Sequence, residues 1–469
     1  MWRCIRSNSK RTSSSPRPLA GQAPQELLEL VFRQLERDPT RSFSLNIWLV
    51  QDDSLACQYA LKSAAQVCRA WNGPATRALY ACVRLRDAFA CVLLGRTLTA
   101  RRELGYYIHY AQLPLDASLN LGSYWQLCRF ARFIRRDSPA KREVRLYNAL
   151  SQLTGHGLCP NLRAVSSYTG LGFPPKDCRL WFNAGLGTQL EYYQATSYLH
   201  RIPLNNWNSL WRRINGERDA SGFSDPMSLP VVFTNLRTLH LCSLNVMMYN
   251  QTDAIFQQRD KITRVFPVLQ ELIFDNGQTR DDTLVGFVLA LRKTLRTLVL
   301  NDTIMWTLED GEHEWRDPLA QMVKNLLRGA EQDAVPLLAL EELVVGYSNC
   351  TAGPVNLANE PIHLPQLTQL RHLGIVSWLL HLIPEVPSLL EQLSVYFPPE
   401  ELALDTCLNR LGVLRRSVSR WKTQAVRLRS ISHRASVSHG QELAERDLVA
   451  ALLSFSLVGI GVKGETTIR

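Results

Sequence analysis

The stretch Leu295-Arg296-Thr297-Leu298-Val299-Leu300 has the pattern Leu-x-x-Leu-x-apolar, which recurs along the second half of the chain. Five further copies keep both leucines and begin at Leu236, Leu269, Leu340, Leu370 and Leu390, and a fainter copy begins at Leu162. From Leu236 onward, successive copies start 20 to 45 residues apart. A short motif that recurs at such intervals indicates an irregular repeat array.

The spacing within the motif fits a short β-strand. Its second leucine and its last apolar residue are two positions apart, so both point to the same face of a strand. One such strand buries little, but stacked neighbours would form a continuous core. The motif resembles leucine-rich repeats, which implies an α/β solenoid with parallel strands inside and helices outside, for example at 282–293 and 318–327. The alternative is an ordinary α/β domain whose strands contain leucine pairs.

The x positions of the motif would face the other side of the strands and line the concave face of a curved array. They carry charges of both signs, which favours recognition of a protein over recognition of phosphate. The predicted target-binding residues are Arg237, His240, Arg296, Glu342, Arg371 and His372.

Three short helices are predicted near the N-terminus. The first begins at Pro24, and one stripe of it carries Leu27, Leu28, Val31 and Leu35. The second runs from about Ser54 to Trp71, and Asn72-Gly73-Pro74 is expected to break it and to start the third. The apolar faces of these helices exceed what so small a core absorbs, which predicts a docking surface.

Segment 23–85 resembles an F-box. That pattern has a Pro followed by Glu-Leu-Leu, an Ile/Val-Phe pair and a Leu, and later Val-Cys-Arg-x-Trp, an Ala and a Leu-Trp/Tyr pair. The matching residues are Pro24, Glu26-Leu27-Leu28, Val31-Phe32, Leu35, Val67-Cys68-Arg69-Ala70-Trp71, Ala75 and Leu79-Tyr80. The chain departs from the pattern at Ala23, where a Leu is usual, and in an insert at about 40–53 between the two halves.

The resemblance implies that this chain is the substrate receptor of an SCF-type ubiquitin ligase, because an F-box binds the Skp-family adaptor of a cullin–RING ligase. The residues assigned to adaptor contact are Pro24, Leu27, Leu28, Val31, Leu35, Val67, Cys68 and Trp71. The repeats would hold a target protein close to a ubiquitin-conjugating enzyme. One alternative is a leucine-rich repeat scaffold that acts without a ligase.

The predicted organisation has five parts. These are a basic tail at 1–22, the F-box at 23–85, a linker helix and first strand at 86–120, the solenoid at 121–435, and a C-terminal cap or tail at 436–469. Within the linker, 87–97 is predicted to be a helix and Leu104 to Ile108 a strand. The longest apolar run, 448–462, is shorter than the ~20 residues that a membrane-spanning helix needs.

The eleven cysteines are scattered, and no two are separated by only two residues. A disulfide framework or a zinc site would need short, paired spacings. We therefore expect buried cysteines in a reducing compartment, the cytoplasm or nucleus, and no metal site.

Catalysis is not predicted. Residues 459–464 match the dinucleotide fingerprint in letters, but the required acidic residue about 20 positions further on is missing. We expect a non-catalytic chain without a cofactor or a small-molecule substrate. The net charge of +11 leaves a nucleic-acid or membrane-surface binder as a second alternative, although the basic clusters at 129–145 and 410–434 would then have to share one face.

Overall fold

The structure is a computed structural model of the chain. It describes residues 24–35, 54–85, 88–112, 158–168, 186–196, 233–242, 245–246, 262–264, 266–275, 278–301, 304–306, 337, 339–345, 364, 366–397, 412–414, 416–421, 427–428, 430–437 and 461–468. The predicted tail at 1–22, the insert at 40–53, the helix at 318–327 and the basic cluster at 129–145 lie outside the described residues.

A twelve-stranded parallel sheet organises the described part of the chain. Fifteen strands are described, namely β1 (Cys82–Arg84), β2 (Tyr110–Gln112), β3 (Ala164–Tyr168), β4 (Tyr192–Thr196), β5 (Thr238–Cys242), β6 (Asn245–Val246), β7 (Glu271–Asp275), β8 (Gln278–Arg280), β9 (Thr297–Asn301), β10 (Ile304–Trp306), β11 (Glu342–Val345), β12 (His372–Val376), β13 (Gln392–Phe397), β14 (Ser430–Val437) and β15 (Gly461–Ile468). The large sheet has the order β1-β2-β3-β4-β5-β7-β9-β11-β12-β13-β14-β15, and a small sheet has the order β10-β8-β6.

Helices precede the sheet and connect some of its strands. They are α1 (Gln25–Leu35), α2 (Ser54–Val67), α3 (Arg69–Ala81), α4 (Ala88–Ala100), α5 (Leu186–Gln189) and α6 (Asp281–Ala290), together with 3-10 helices at Arg102–Tyr107 and Ser377–Leu382. Helix α3 runs directly into β1, so the helical module formed by α1, α2 and α3 is continuous with the first strand.

Each of the six complete repeat motifs forms one strand of the large sheet. Their second leucines are register partners from strand to strand, as in Leu239, Leu272 and Leu298. Because every pairing in the sheet is parallel, the repeats stack in the same orientation. The predicted α/β class with stacked parallel strands is therefore confirmed.

The leucines of the motif form one continuous core behind the sheet. The first leucine of each copy is almost completely buried, as shown by Leu236, Leu269, Leu295, Leu340, Leu370 and Leu390. Burying a leucine contributes roughly 1.5–3 kcal/mol, so each added repeat stabilises the stack through the same contact.

Aromatic rings reinforce this core at β4, β5 and β7. Tyr193 stacks on Phe233 at 6.4 Å between ring centroids, and Phe233 stacks on Phe266 at 5.4 Å. Phe287 of α6 meets Phe266 edge-on at 5.9 Å. The row links three repeats to a helix on the outside of the sheet.

The expected break between the second and third helices is in the wrong place. Pro74 lies inside α3, and the break falls at Cys68, whose backbone is extended. The side chain of Asn72 donates a 2.8 Å hydrogen bond to the carbonyl of Ala65 at the end of α2. The Asn72 side chain therefore supplies a donor to a carbonyl near the end of α2, and Pro74 lies in the second turn of α3.

The strand expected at Leu104 to Ile108 is also wrong, because Arg102–Tyr107 form a 3-10 helix and β2 begins at Tyr110. A Cβ atom at Gly105 would collide with the carbonyl oxygen of Leu158. This close approach requires glycine, and it holds the chain in a tight turn where the periodicity suggested a strand.

Candidate functional site

The three N-terminal helices share a small apolar core of their own. Its buried side chains are Leu28, Phe32, Leu61, Ala64, Ala75 and Ala78. The ring of Phe32 meets Trp71 edge-on at 5.6 Å. Outside this core, Glu29 of α1 forms an ion pair with Arg77 of α3. Helix α1 is therefore fixed to α3 by both apolar and charged contacts.

A second face of α1 is apolar as well, and it is exposed. Leu27, Leu30 and Val31 are 54%, 56% and 58% exposed, and they lie within about one helical turn of one another. This set is called here the exposed face of α1. Three large apolar side chains on one turn form a patch of the kind that marks a protein-binding site.

Helix α2 adds two more exposed apolar side chains. Tyr59 and Val67 are 60% and 58% exposed, while Leu61 and Ala64 point into the core of the module. Val67 is the last residue of α2, directly before the extended Cys68. Both helices therefore carry apolar surface that the module itself does not cover.

The predicted adaptor-contact residues divide into three groups. Exposed are Pro24, Leu27, Val31 and Val67; half-buried are Leu35, Cys68 and Trp71; buried in the core is Leu28. The single stripe expected on α1 is thus two stripes, because Leu28, Phe32 and Leu35 turn inward while Leu27 and Val31 turn outward. The sequence prediction did not include the exposed residues Leu30 and Tyr59. The position of Leu30, about one helical turn after Leu27, was a signal for it.

A row of alternating charges precedes the strands of the large sheet. This row consists of the residue immediately before each strand of the large sheet from β3 to β13. In sheet order its members are Arg163, Glu191, Arg237, Gln270, Arg296, Glu341, Arg371 and Glu391. We call this row the charged rim. Arginine occupies every second strand, and glutamate occupies all but one of the positions between.

Backbone hydrogen bonds hold the rim together. The N–H of each rim residue donates to the carbonyl of the rim residue before it, for example Glu191 to Arg163 at 2.8 Å and Arg296 to Gln270 at 2.7 Å. Ion pairs join neighbours at three steps: Arg163–Glu191 at 3.3 Å, Arg296–Glu341 at 3.4 Å and Arg371–Glu391 at 3.9 Å. The arginines of these pairs remain largely exposed.

The face of the sheet opposite the leucine core carries a second polar row, whose members bond across neighbouring strands. The Thr238 hydroxyl donates to Glu271 at 2.8 Å, and Thr297 donates to Glu342 at 3.3 Å. On the same face, two residues further along the strands, Ile273, Val299 and Val344 form a small apolar cluster. This face is therefore polar along one row and apolar at the centre of the next.

His372 belongs to the polar row, and His240 lies in the next row, beside Ile273. His372 contacts Glu342 at 2.7 Å through Nδ1 and Ser394 at 2.8 Å through Nε2, so it joins β11, β12 and β13. His240 lies 3.2 Å from the Tyr192 hydroxyl and is buried. Both imidazoles are engaged by neighbouring strands.

Burial changes the ionisation of two groups. Desolvation raises the pKa of the Glu271 carboxyl; the hydrogen bond from Thr238 opposes this rise, and the charge of Glu342 adds to it. Burial also raises the pKa of the Cys159 thiol to about 12, which makes that cysteine a poor nucleophile at neutral pH.

The predicted target-binding residues do not all face solvent. Arg237, Arg296 and Arg371 belong to the charged rim and are exposed, whereas His240 and Glu342 are buried and His372 is largely so. An x position can therefore be buried although it faces away from the leucine core. The x positions inside neighbouring strands are separated by the distance between two strands, about 4.8 Å. Their side chains are therefore close enough to form hydrogen bonds with each other.

No group of three or more potential metal ligands occurs among the described residues. None of the helices in the described ranges is both long enough and apolar enough to cross a membrane.

Comparisons with known proteins add little. No protein-family model matches the chain, and no curated protein matches its sequence. Among solved structures, a chain of the crystal structure of the Rad7 and Elc1 complex in yeast aligns over 89% of this chain and 90% of its own length, with 12% identity and a TM-score of 0.31. A likeness of this size carries no argument about fold or function.

Proposed function

We propose that this chain is the non-catalytic substrate receptor of an SCF-type ubiquitin ligase. The helical module binds the Skp-family adaptor, and the repeat sheet presents a target protein. The observation that carries this proposal is the exposed face of α1. Its three large side chains stay outside while Leu28 and Phe32 already fill the module's core.

The sequence resemblance supports the same assignment. The exposed residues Leu27, Val31 and Val67 belong to the F-box pattern, and the inward residues Phe32 and Trp71 of the same pattern contact each other. One set of residues builds the module, and the other set is available for a partner.

The role of the sheet in the proposal is to hold the target through the rim. Arg237, Arg296 and Arg371 are exposed and regularly spaced, and the interleaved glutamates make the rim nearly neutral. A row of mixed charges suits a protein partner better than a phosphate backbone, which would favour unbroken positive charge.

Co-purification with the Skp-family adaptor tests the proposal. We expect the full chain to retain the adaptor and the Leu27→Asp/Val31→Asp variant to lose it by about 100-fold or more in affinity, since each buried aliphatic side chain contributes roughly 1.5–3 kcal/mol. Both positions are exposed, so the fold should survive.

Leu93→Asp is the matched control, because Leu93 is 42% exposed but lies on α4. We expect this variant to bind the adaptor like the wild type. If the wild-type chain fails to bind the adaptor while remaining folded, the ligase proposal is wrong, and a ligase-independent repeat scaffold is the better account.

A further inference from the structure

β15 is the outermost strand of the large sheet in the described part of the chain. β14 and β15 pair over eight residues, from Ser430↔Gly461 to Val437↔Ile468. No strand in the described part of the chain pairs with the other edge of β15. A strand edge of this length carries backbone N–H and C=O groups that can pair with another chain.

The sequence of β15 is complementary to itself in the antiparallel direction. When two copies of Gly461–Ile468 align antiparallel about Gly464, Lys463 of each copy lies opposite Glu465 of the other. Val462 then lies opposite Thr466, a pair of β-branched residues that suits a sheet. Opposite charges directly across two strands attract each other.

The same charges disfavour the neighbouring registers on that face. A shift by two residues in one direction sets Lys463 opposite Lys463, and a shift in the other direction sets Glu465 opposite Glu465. Like charges directly opposite each other are destabilising. The charge pattern therefore favours one antiparallel register over its neighbours. A strand edge whose charges only prevent pairing would not need such a preference.

We propose that the outer edge of β15 is a homodimer interface, in which two copies of the chain pair antiparallel about Gly464. The occupant is a second copy because the complementarity is that of the strand with itself. Antiparallel pairing about a central residue is the geometry of a two-fold axis, at which the same surface is used by both subunits.

This interface leaves the helical module free. β1, which follows α3, and β15 are the two ends of the sheet, eleven strand steps apart in its order. At about 4.8 Å a step this is roughly 50 Å along the sheet. A dimer joined at β15 would therefore carry two α1 faces, each at the opposite end of its own sheet from the dimer axis.

Sedimentation velocity of the full chain over about 1–100 µM tests the interface. We expect a weak dimer whose fraction rises with concentration, because two short strand edges bury less than a standard interface of ~1,600 Å². Lys463→Glu and Glu465→Lys should each weaken the dimer by about tenfold or more, since each replaces two attractions by two repulsions.

Mixing the two variants distinguishes a specific interface from a folding defect. In the mixed dimer every opposed pair again has opposite charges, so we expect the mixture to dimerise like the wild type while each variant alone does not. The Lys463→Glu/Glu465→Lys double variant should also dimerise. Circular dichroism and the melting temperature verify that each variant is folded.

Three results would overturn the interface. They are a wild-type chain that stays monomeric throughout the range, single variants that dimerise as well as the wild type, and folded single variants whose mixture fails to dimerise.

Discussion

Ser166 shows how tightly the face opposite the leucine core is packed. Its side chain is 1% exposed, and its hydroxyl has no hydrogen-bond partner among the described residues. A buried hydroxyl without a partner costs about 1–3 kcal/mol. Ser166→Ala should therefore leave the free energy of unfolding unchanged or raise it by about 1 kcal/mol in urea denaturation. A loss of stability would show that the hydroxyl has a partner, such as a buried water.

Thr238→Val provides the contrasting case. The Thr238 hydroxyl donates to Glu271 on the neighbouring strand, and valine keeps the shape but removes the donor. We expect this variant to lose about 1–3 kcal/mol, because the half-buried Glu271 carboxyl is left without that bond.

Glu271 predicts a dependence of stability on pH. Its pKa is raised in the folded state, so its stabilising contribution is complete below the unfolded pKa and is lost as the pH rises through the folded pKa. Glu271→Gln removes the half-buried charge but keeps an acceptor for Thr238. We expect the variant to melt at a higher temperature than the wild type at pH 7, and this advantage to shrink as the pH falls through the raised folded pKa of Glu271 toward its unfolded pKa. Equal melting temperatures of the variant and the wild type at pH 7 would contradict the claim that desolvation of the Glu271 carboxylate raises its pKa.

At the scale of the element, the charged rim predicts a salt-sensitive effect. Glu341 lies between Arg296 and Arg371, with Arg296 at 3.4 Å. Glu341→Arg would place three arginines on successive strands, and we expect it to cost about 1–2 kcal/mol of stability at low salt.

Glu341→Gln, the matched control, should cost less than about 1 kcal/mol because it removes only the attraction. The difference between the two variants should shrink in 1 M NaCl, where charges are screened beyond ~3 Å. A difference that is unaffected by salt would mean that packing, and not charge, is responsible.

The strands could be predicted where both leucines are present, because their spacing determines which side of the strand enters the core. Sequence analysis missed β4 and β14, in which Leu190 and Leu428 are kept but Tyr193 and Ile431 replace the second leucine. A search for Leu-x-x-apolar would have found both.

The remaining errors concern contacts between distant residues. The collision that a side chain at Gly105 would make with Leu158 involves a residue more than fifty positions away, so local periodicity could not reveal the turn. The contact of His240 with Tyr192 likewise joins residues of adjacent repeats, 48 positions apart. For the helical module, the sequence indicated an apolar surplus, but which leucines of α1 face inward depends on how α1 packs against α2 and α3.

For the whole molecule, the continuity of α3 with β1 matters most. The carbonyl of Ala81 at the end of α3 accepts a hydrogen bond from His109, just before β2, at 3.0 Å. The helical module is therefore joined to the sheet without a linker. A receptor of this construction would fix the position of a bound target relative to the adaptor, which is what catalysis by proximity requires.

Hydrogen–deuterium exchange of the full chain, with and without the Skp-family adaptor, tests the central claim most directly. We expect the adaptor to slow exchange in Gln25–Leu35 and Ser54–Val67, with no such change in the strands from β5 to β13, and we expect the Leu27→Asp/Val31→Asp variant to show no protection. Unchanged exchange in both helices at saturating adaptor would contradict the account, as would protection confined to the repeat strands.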